Sequence, residues 1–165
     1  MKNITNVCFV ILATLCLQQI NKVESKDLIS VACSIALHKK DCESSLRSQP
    51  ESKSADLIGL AKIALKLAEA NANRVTSQFS QKLKKESNKY VKEELTDCLE
   101  AYQTALEKIE DSIDALASKR FSDASTWVSA AMTEVESCKS ALSSNKAFTR
   151  YCSNVLAVTN KAAGN

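Results

Sequence analysis

Seven cysteines and one histidine are the side chains of this sequence best suited to chemistry, and their spacing points to oxidation, not catalysis. Cys98 and Cys138 each fall on an apolar stripe of helical period. If the two stripes fold back on each other about the break at Ser118 to Ser122, Cys98 lies about 19 residues before it and Cys138 about 15 after it, a height difference of ~6 Å at the α-helical rise. A disulfide across that helical hairpin is the economical reading. Cys33 and Cys42 pair locally in the same scheme, which leaves Cys152 single, although four cysteines allow three connectivities and spacing alone does not choose among them. Closing the ten-residue loop removes ~2.7 kcal/mol of chain entropy from the unfolded state, and closing the 41-residue loop from Cys98 to Cys138 removes ~3.9 kcal/mol.

The remaining candidates for chemistry lack partners. His38 sits among polar residues and reads as a solvated imidazole. A zinc site from Cys33, His38 and Cys42 would need a fourth ligand. Glu93 with Glu94, and Glu110 with Asp111, are adjacent in sequence and so diverge around a helix instead of converging on a substrate. Cys152 lies on an apolar stripe and reads as a buried, inert free thiol. Trp127, beside the stripe position Val128, reads as a packing anchor. With two glycines and one proline, Pro50, the chain can form no glycine-rich phosphate loop, dinucleotide fingerprint or nucleophile elbow. Composition therefore points away from an enzyme and calls for no cofactor or metal.

The elements that must position these residues are helices. Val91, Leu95, Cys98, Tyr102, Ala105, Ile109, Ile113 and Leu116 step by threes and fours, as do Ala124, Val128, Ala131, Val135, Cys138 and Leu142. Leu57, Ala61, Ala64, Ala68, Ala72, Val75 and Phe79 form a third stripe, with Ser54 as its expected N-cap and Asp56 in its first turn. Gly59 inside that stripe costs about 1 kcal/mol relative to Ala. Ser143, Ser144 and Asn145 read as a loop before a last helix carrying Phe148, Cys152, Val155, Val158 or Thr159, and Ala162. Two short patterns precede these, Asp27 to Leu37 and Lys39 to Arg47, with Ser48 to Lys53 as linker. Helices this short are marginal in water without a clamp. The expected architecture is all-α: residues 26–50 form a short N-terminal helical hairpin, and residues 54–163 an up-and-down four-helix bundle.

The start of the chain suggests its compartment. Lys2 precedes an uncharged apolar run from Val7 to Leu17, and Val23 and Ser25 suit a signal-peptidase site. Eleven residues are too few to span a bilayer, which takes about 20. Residues 1–25 are therefore expected to be a cleaved signal peptide, which removes Cys8 and Cys16 from the fold, and residues 26–165 a single exported domain with no membrane partner. Loss of Lys2, Lys22 and Glu24 leaves a net charge of about +2. The lysines are interleaved with acids, and no basic stripe is backed by aromatics, so no nucleic-acid partner is expected.

Further residues carry a family likeness. Cys33 and Cys42 are followed by Ser45, Leu46, Arg47, Ser48, Gln49 and Pro50, then by Ser54, Ala55, Asp56, Leu57, Gly59, Leu60 and Ala61. Cys98 has Tyr102 four residues on; Ser129, Ala130 and Ala131 precede Cys138; and Cys152 opens the run Ser153, Asn154, Val155, Leu156, Ala157. Over residues 26–165 the sequence resembles the plant invertase and pectin methylesterase inhibitor family. The resemblance implies a four-helix bundle with a protruding N-terminal hairpin, the two nested disulfides Cys33–Cys42 and Cys98–Cys138, and 1:1 inhibition of a cell-wall carbohydrate enzyme in the apoplast.

The resemblance also bears on the target. Invertase inhibitors of the family typically carry Pro-Lys-Phe before the third bundle helix; here Lys119, Arg120 and Phe121 stand at that place, without the proline. The spacing from Phe121 to Cys138, the Ser-Ala-Ala segment and Cys152 are more typical of inhibitors of pectin methylesterase. For such members the resemblance implies that the central helices lie across the substrate cleft. Carried onto this chain, the contact strip comprises Glu100, Thr104 and Glu107 with Ser125, Ser137 and Ser140. Inhibition of acid invertase through Lys119, Arg120 and Phe121 is the alternative. A non-inhibitory secreted bundle serving interaction or storage is a third reading. Exchange of the N-terminal hairpin between copies would give a homodimer.

Overall fold

In a computed structural model, the structure describes residues 27–138 and 142–164. The leader assigned to residues 1–25, the strip residue Ser140 and the side chain of Leu142 lie outside the described residues. The hairpin consists of α1 (Leu28–Ala32) and α2 (Lys39–Arg47), followed by a 3₁₀ turn at Pro50–Lys53. Four longer helices follow: α3 (Leu57–Lys85), α4 (Lys89–Ala117), α5 (Phe121–Glu136) and α6 (Leu142–Ala162). Among the described residues there is no strand.

Each long helix packs on its neighbours in chain order, and α6 closes the ring against α3, the arrangement expected when amphipathic stripes are joined by short links. The stripes supply the core. Ala61, Ala64, Ala68, Ala72, Val75 and Phe79 from α3 meet Cys98, Tyr102, Ala105 and Ile109 from α4, Val128 and Val135 from α5, and Phe148, Cys152, Val155 and Val158 from α6, all buried. One aromatic layer crosses the bundle: the Phe79 and Tyr102 ring centroids are 5.8 Å apart, and those of Tyr102 and Phe148 5.5 Å, within the range of favourable edge and tilted contacts.

Three local expectations are corrected. Asp56, not Ser54, caps α3; its Oδ1 accepts from the Gly59 amide at 2.7 Å. Gly59 suits that cap, because a Cβ there would lie 3.0 Å from Ala55 Cβ and 3.2 Å from Asp56 Oδ1. Ser143 to Asn145 belong to α6 and not to a loop. Val91 is 38% exposed, because α5 ends at Glu136, next to the level of Cys98, and leaves the first turns of α4 without its cover.

Both disulfides form as the resemblance implies. Cys33 and Cys42 join with Cα atoms 5.8 Å apart, and Cys98 and Cys138 with Cα atoms 5.0 Å apart. The hairpin rests on its own bundle, α1 against α3 and α6 and α2 against α3. Arg150 of α6 donates to Asp41 of α2 at 2.9 Å.

Candidate functional site

Among the described residues no group of three or more His, Cys, Asp or Glu residues could hold a metal ion. Cys152 is fully buried, and burial pushes its thiol far above the ordinary range, which suppresses the nucleophilic thiolate. His38 is exposed and borders a groove with Leu37, Met132, Glu136 and Lys146. What the molecule offers is surface, and the α4–α5 face is its most differentiated part.

Three contacts identify the flank of α4 that faces α5. Cys98 is bonded to Cys138, Ser112 Oγ donates to the Ala124 carbonyl at 3.0 Å, and Lys108 Nζ stands 4.9 Å from the Trp127 ring centre. Thr104, one turn before Lys108, lies half-buried on this flank, whereas Glu100 and Glu107, seven residues apart, share the exposed outer face. On α5, Trp127, Ala130 and Glu134 recur at helical spacing, all half-buried. Ser137 is exposed immediately before Cys138 and donates to the Glu134 carbonyl.

Ser125 is separated from this group. It lies seven residues before Met132, whose side chain lines the groove shared with Asn145, Lys146 and Thr149 of α6. The two positions share a face, so Ser125 borders α6 and not α4. The structure thus places Thr104 on the flank of α4 turned to α5, Glu100 and Glu107 on its outer face and Ser137 at the end of α5, and sets Ser125 apart. The Lys108–Trp127 pair lies inside the same face and was not among the residues expected there. A lysine stem over an aromatic ring combines cation–π attraction with apolar cover, but no sequence spacing links residues on different helices.

Lys119, Arg120 and Phe121 form the tight turn between α4 and α5. The Lys119 amide donates to the Leu116 carbonyl at 3.0 Å and that of Arg120 to the Ala115 carbonyl at 2.8 Å, the two bonds of a Schellman motif. Lys119 occupies its left-handed position, with φ at 56°, a place glycine usually takes at lower cost. Arg120 is ion-paired with Asp123, and Phe121 packs half-buried against the core. Of the three, only Lys119 presents an unengaged side chain to solvent.

The sequence model of the family described as plant invertase/pectin methylesterase inhibitor matches residues 27–158. Pectinesterase inhibitor 2 of Arabidopsis thaliana is 28% identical over 142 residues, which cover 80% of this chain and 82% of that protein. A cell wall/vacuolar inhibitor of fructosidase from the same plant is 28% identical over 143 residues, covering 82% and 78%. In fold, the chain is similar to the crystal structure of a mutant pectin methylesterase inhibitor from Arabidopsis, with a TM-score of 0.69 at 22% identity, over 80% of this chain and 95% of that one. Among the described residues no helix is long and apolar enough to cross a membrane.

Proposed function

This chain belongs to the plant invertase/pectin methylesterase inhibitor family, and from that premise we propose that it is an exported inhibitor of pectin methylesterase, acting in the cell wall. It binds the enzyme 1:1 and lays the α4–α5 face over the cleft through which pectin enters. Glu100, Thr104, Glu107 and Ser137 form the polar contacts of this face, with Trp127 under Lys108 as its apolar anchor; Ser140 joins this set on the family resemblance alone, and Ser125 touches the enzyme only at the margin. Inhibition needs no chemistry from the inhibitor: a rigid helical face that excludes the substrate suffices, and the Cys98–Cys138 disulfide keeps that face preorganised.

The observation that carries this reading is the state of the Lys119–Phe121 turn. Arg120 is engaged by Asp123 and Phe121 is packed inward, so the turn offers one cation, while the α4–α5 face presents a continuous polar and aromatic surface. The second reading, inhibition of acid invertase, rests on Lys119 alone, held outward by its left-handed backbone. Titrating the purified chain against both plant enzymes separates the two. Stoichiometric loss of pectin methylesterase activity supports the first; loss of invertase activity alone replaces it with the second; loss of neither at micromolar concentration leaves a non-inhibitory bundle. Exchange of the α1–α2 hairpin would give a homodimer using the contacts this chain makes with its own α3 and α6, and sedimentation would detect it.

A further inference from the structure

The end of the bundle formed by the last turn of α3 and the first turn of α4 breaks a local rule. Carboxylates favour the start of a helix, where the backbone dipole is positive. The first turn of α4 has none and carries Lys89 and Lys92 instead. Lys82, Lys84 and Lys85 fill the facing last turn of α3. All five lysines are exposed, and among the described residues none forms an ion pair. The lone acid of the link, Glu86, is turned back on the backbone, accepting from the amides of Ser87 and Asn88 at 2.8 Å each. Tyr90 stands among the cations with 81% of its surface exposed. The net charge of the whole chain is only +3; from Lys82 to Lys92 five lysines face the single acid Glu86, with Glu93 and Glu94 following along α4, so this tip is locally positive. Between Lys82 and Lys92 the interleaving of acids and bases is interrupted, Glu86 being the one acid, and the three-residue link brings the two helix ends together in space.

We propose that this tip is a docking site for a linear polymer of carboxylate-bearing sugars, the form pectin takes once its methyl esters are hydrolysed. Lysines three apart on each helix present ammonium groups at a rise of about 4.5 Å, as point charges suited to single carboxylates. Arginine forks, preferred for phosphate, are absent from the tip. Tyr90 offers an aromatic face to the apolar side of a sugar ring. The site lies at the opposite end of the extended α4 from the Lys119 turn, beyond the Cys98–Cys138 bridge, so the polymer can tether the inhibitor without covering Glu107 or Lys108. The identity of the polymer rests on pectin methylesterase as the target.

The test is binding of the purified chain to de-esterified polygalacturonate, with fully methyl-esterified polymer and a short DNA duplex as comparisons. Replacing Lys84, Lys85, Lys89 and Lys92 together by Gln is expected to weaken binding about tenfold or more at low salt. Lys62→Gln with Lys66→Gln, on exposed positions of α3 away from the tip, should leave it within about twofold. Tyr90→Ala should give a smaller loss that persists as salt is raised. Circular dichroism checks that each variant keeps its helices. Binding unchanged by the four substitutions, equal binding of the esterified polymer, or displacement of the polygalacturonate by the duplex at lower concentration would each overturn the proposal. The assay contains no enzyme, so its failure leaves the inhibitor reading standing, and a failure of inhibition leaves tethering open to the same measurement.

Discussion

Tyr102 of α4 donates its phenol to Oδ1 of Asn145 on α6 at 2.9 Å, and the Asn145 amide in turn donates to the carbonyls of Val135 and Cys138 at 2.8 and 2.7 Å. One side chain thus reinforces the end of α5, where the Val135 carbonyl also accepts from the Cys138 amide at 3.2 Å, and ties three helices together beside the Cys98–Cys138 bridge. Carbonyls at a helix end lack the regular partner within the helix, and losing a half-buried side-chain donor that serves two of them is costly.

Asn145→Ala is therefore expected to lower the unfolding free energy by about 2 kcal/mol or more, and Tyr102→Phe by about 1 kcal/mol. Urea denaturation of the disulfide-intact chain measures both. Because the two residues share one network, the double variant should lose less than the sum of the single losses. Strict additivity would show that the bond between them contributes nothing.

Charge on the outer face of α4 tests the proposed enzyme contact. Glu100→Lys combined with Glu107→Lys should weaken inhibition of pectin methylesterase by about tenfold or more with helicity unchanged, since reversed rim charges disturb electrostatic complementarity. The same change at Ser125 should matter less, given its position on the α6 side. Equal inhibition by the double variant would take this face out of the contact.

Acid should loosen the start of the hairpin. The Arg47 guanidinium holds the Asp27 carboxyl below its usual value, with Ser30 assisting. A depressed folded-state pKa means that the contribution is fully present above the unfolded value of about 3.9 and is lost as pH falls through the lower folded value. The Ile29 amide, which donates to Asp27, is the NMR reporter. Its shift should move in that acid range in the parent chain and stay flat in Asp27→Asn.

Thiol counting tests the burial of Cys152 and the processing of the leader together. Because burial raises its pKa, Cys152 should resist Ellman's reagent at mildly alkaline pH in the native protein and react in denaturant. A chain processed after residue 25 should then release one equivalent, and an unprocessed one three, Cys8 and Cys16 being added. Rapid labelling of Cys152 in the native state would contradict its place in the core.

The apolar periodicity makes the long helices and their order legible in the amino-acid sequence, because burial of a stripe is enforced along the whole length of a helix. Cysteines on two such stripes suggest the longer bridge, and the family resemblance implies both. What escapes the pattern is whatever depends on where helices end or which flank meets which neighbour. Val91 continues the α4 stripe, yet the shorter α5 does not reach it. Asn145, in a serine-rich stretch that reads as a loop, is a helical residue whose amide serves another helix. Ser125 has the polarity of a contact residue but lies on the flank turned to α6. The Lys108–Trp127 pair joins two helices whose register no pattern within either one reveals.

Each disulfide closes inside its own unit: Cys33–Cys42 within the hairpin and Cys98–Cys138 within the bundle. A protease that nicked the backbone between Gln49 and Asp56 would therefore free the first piece as a separate band on a gel run without reductant, whereas a nick at Lys119 would leave two fragments migrating as one until the cystine was reduced.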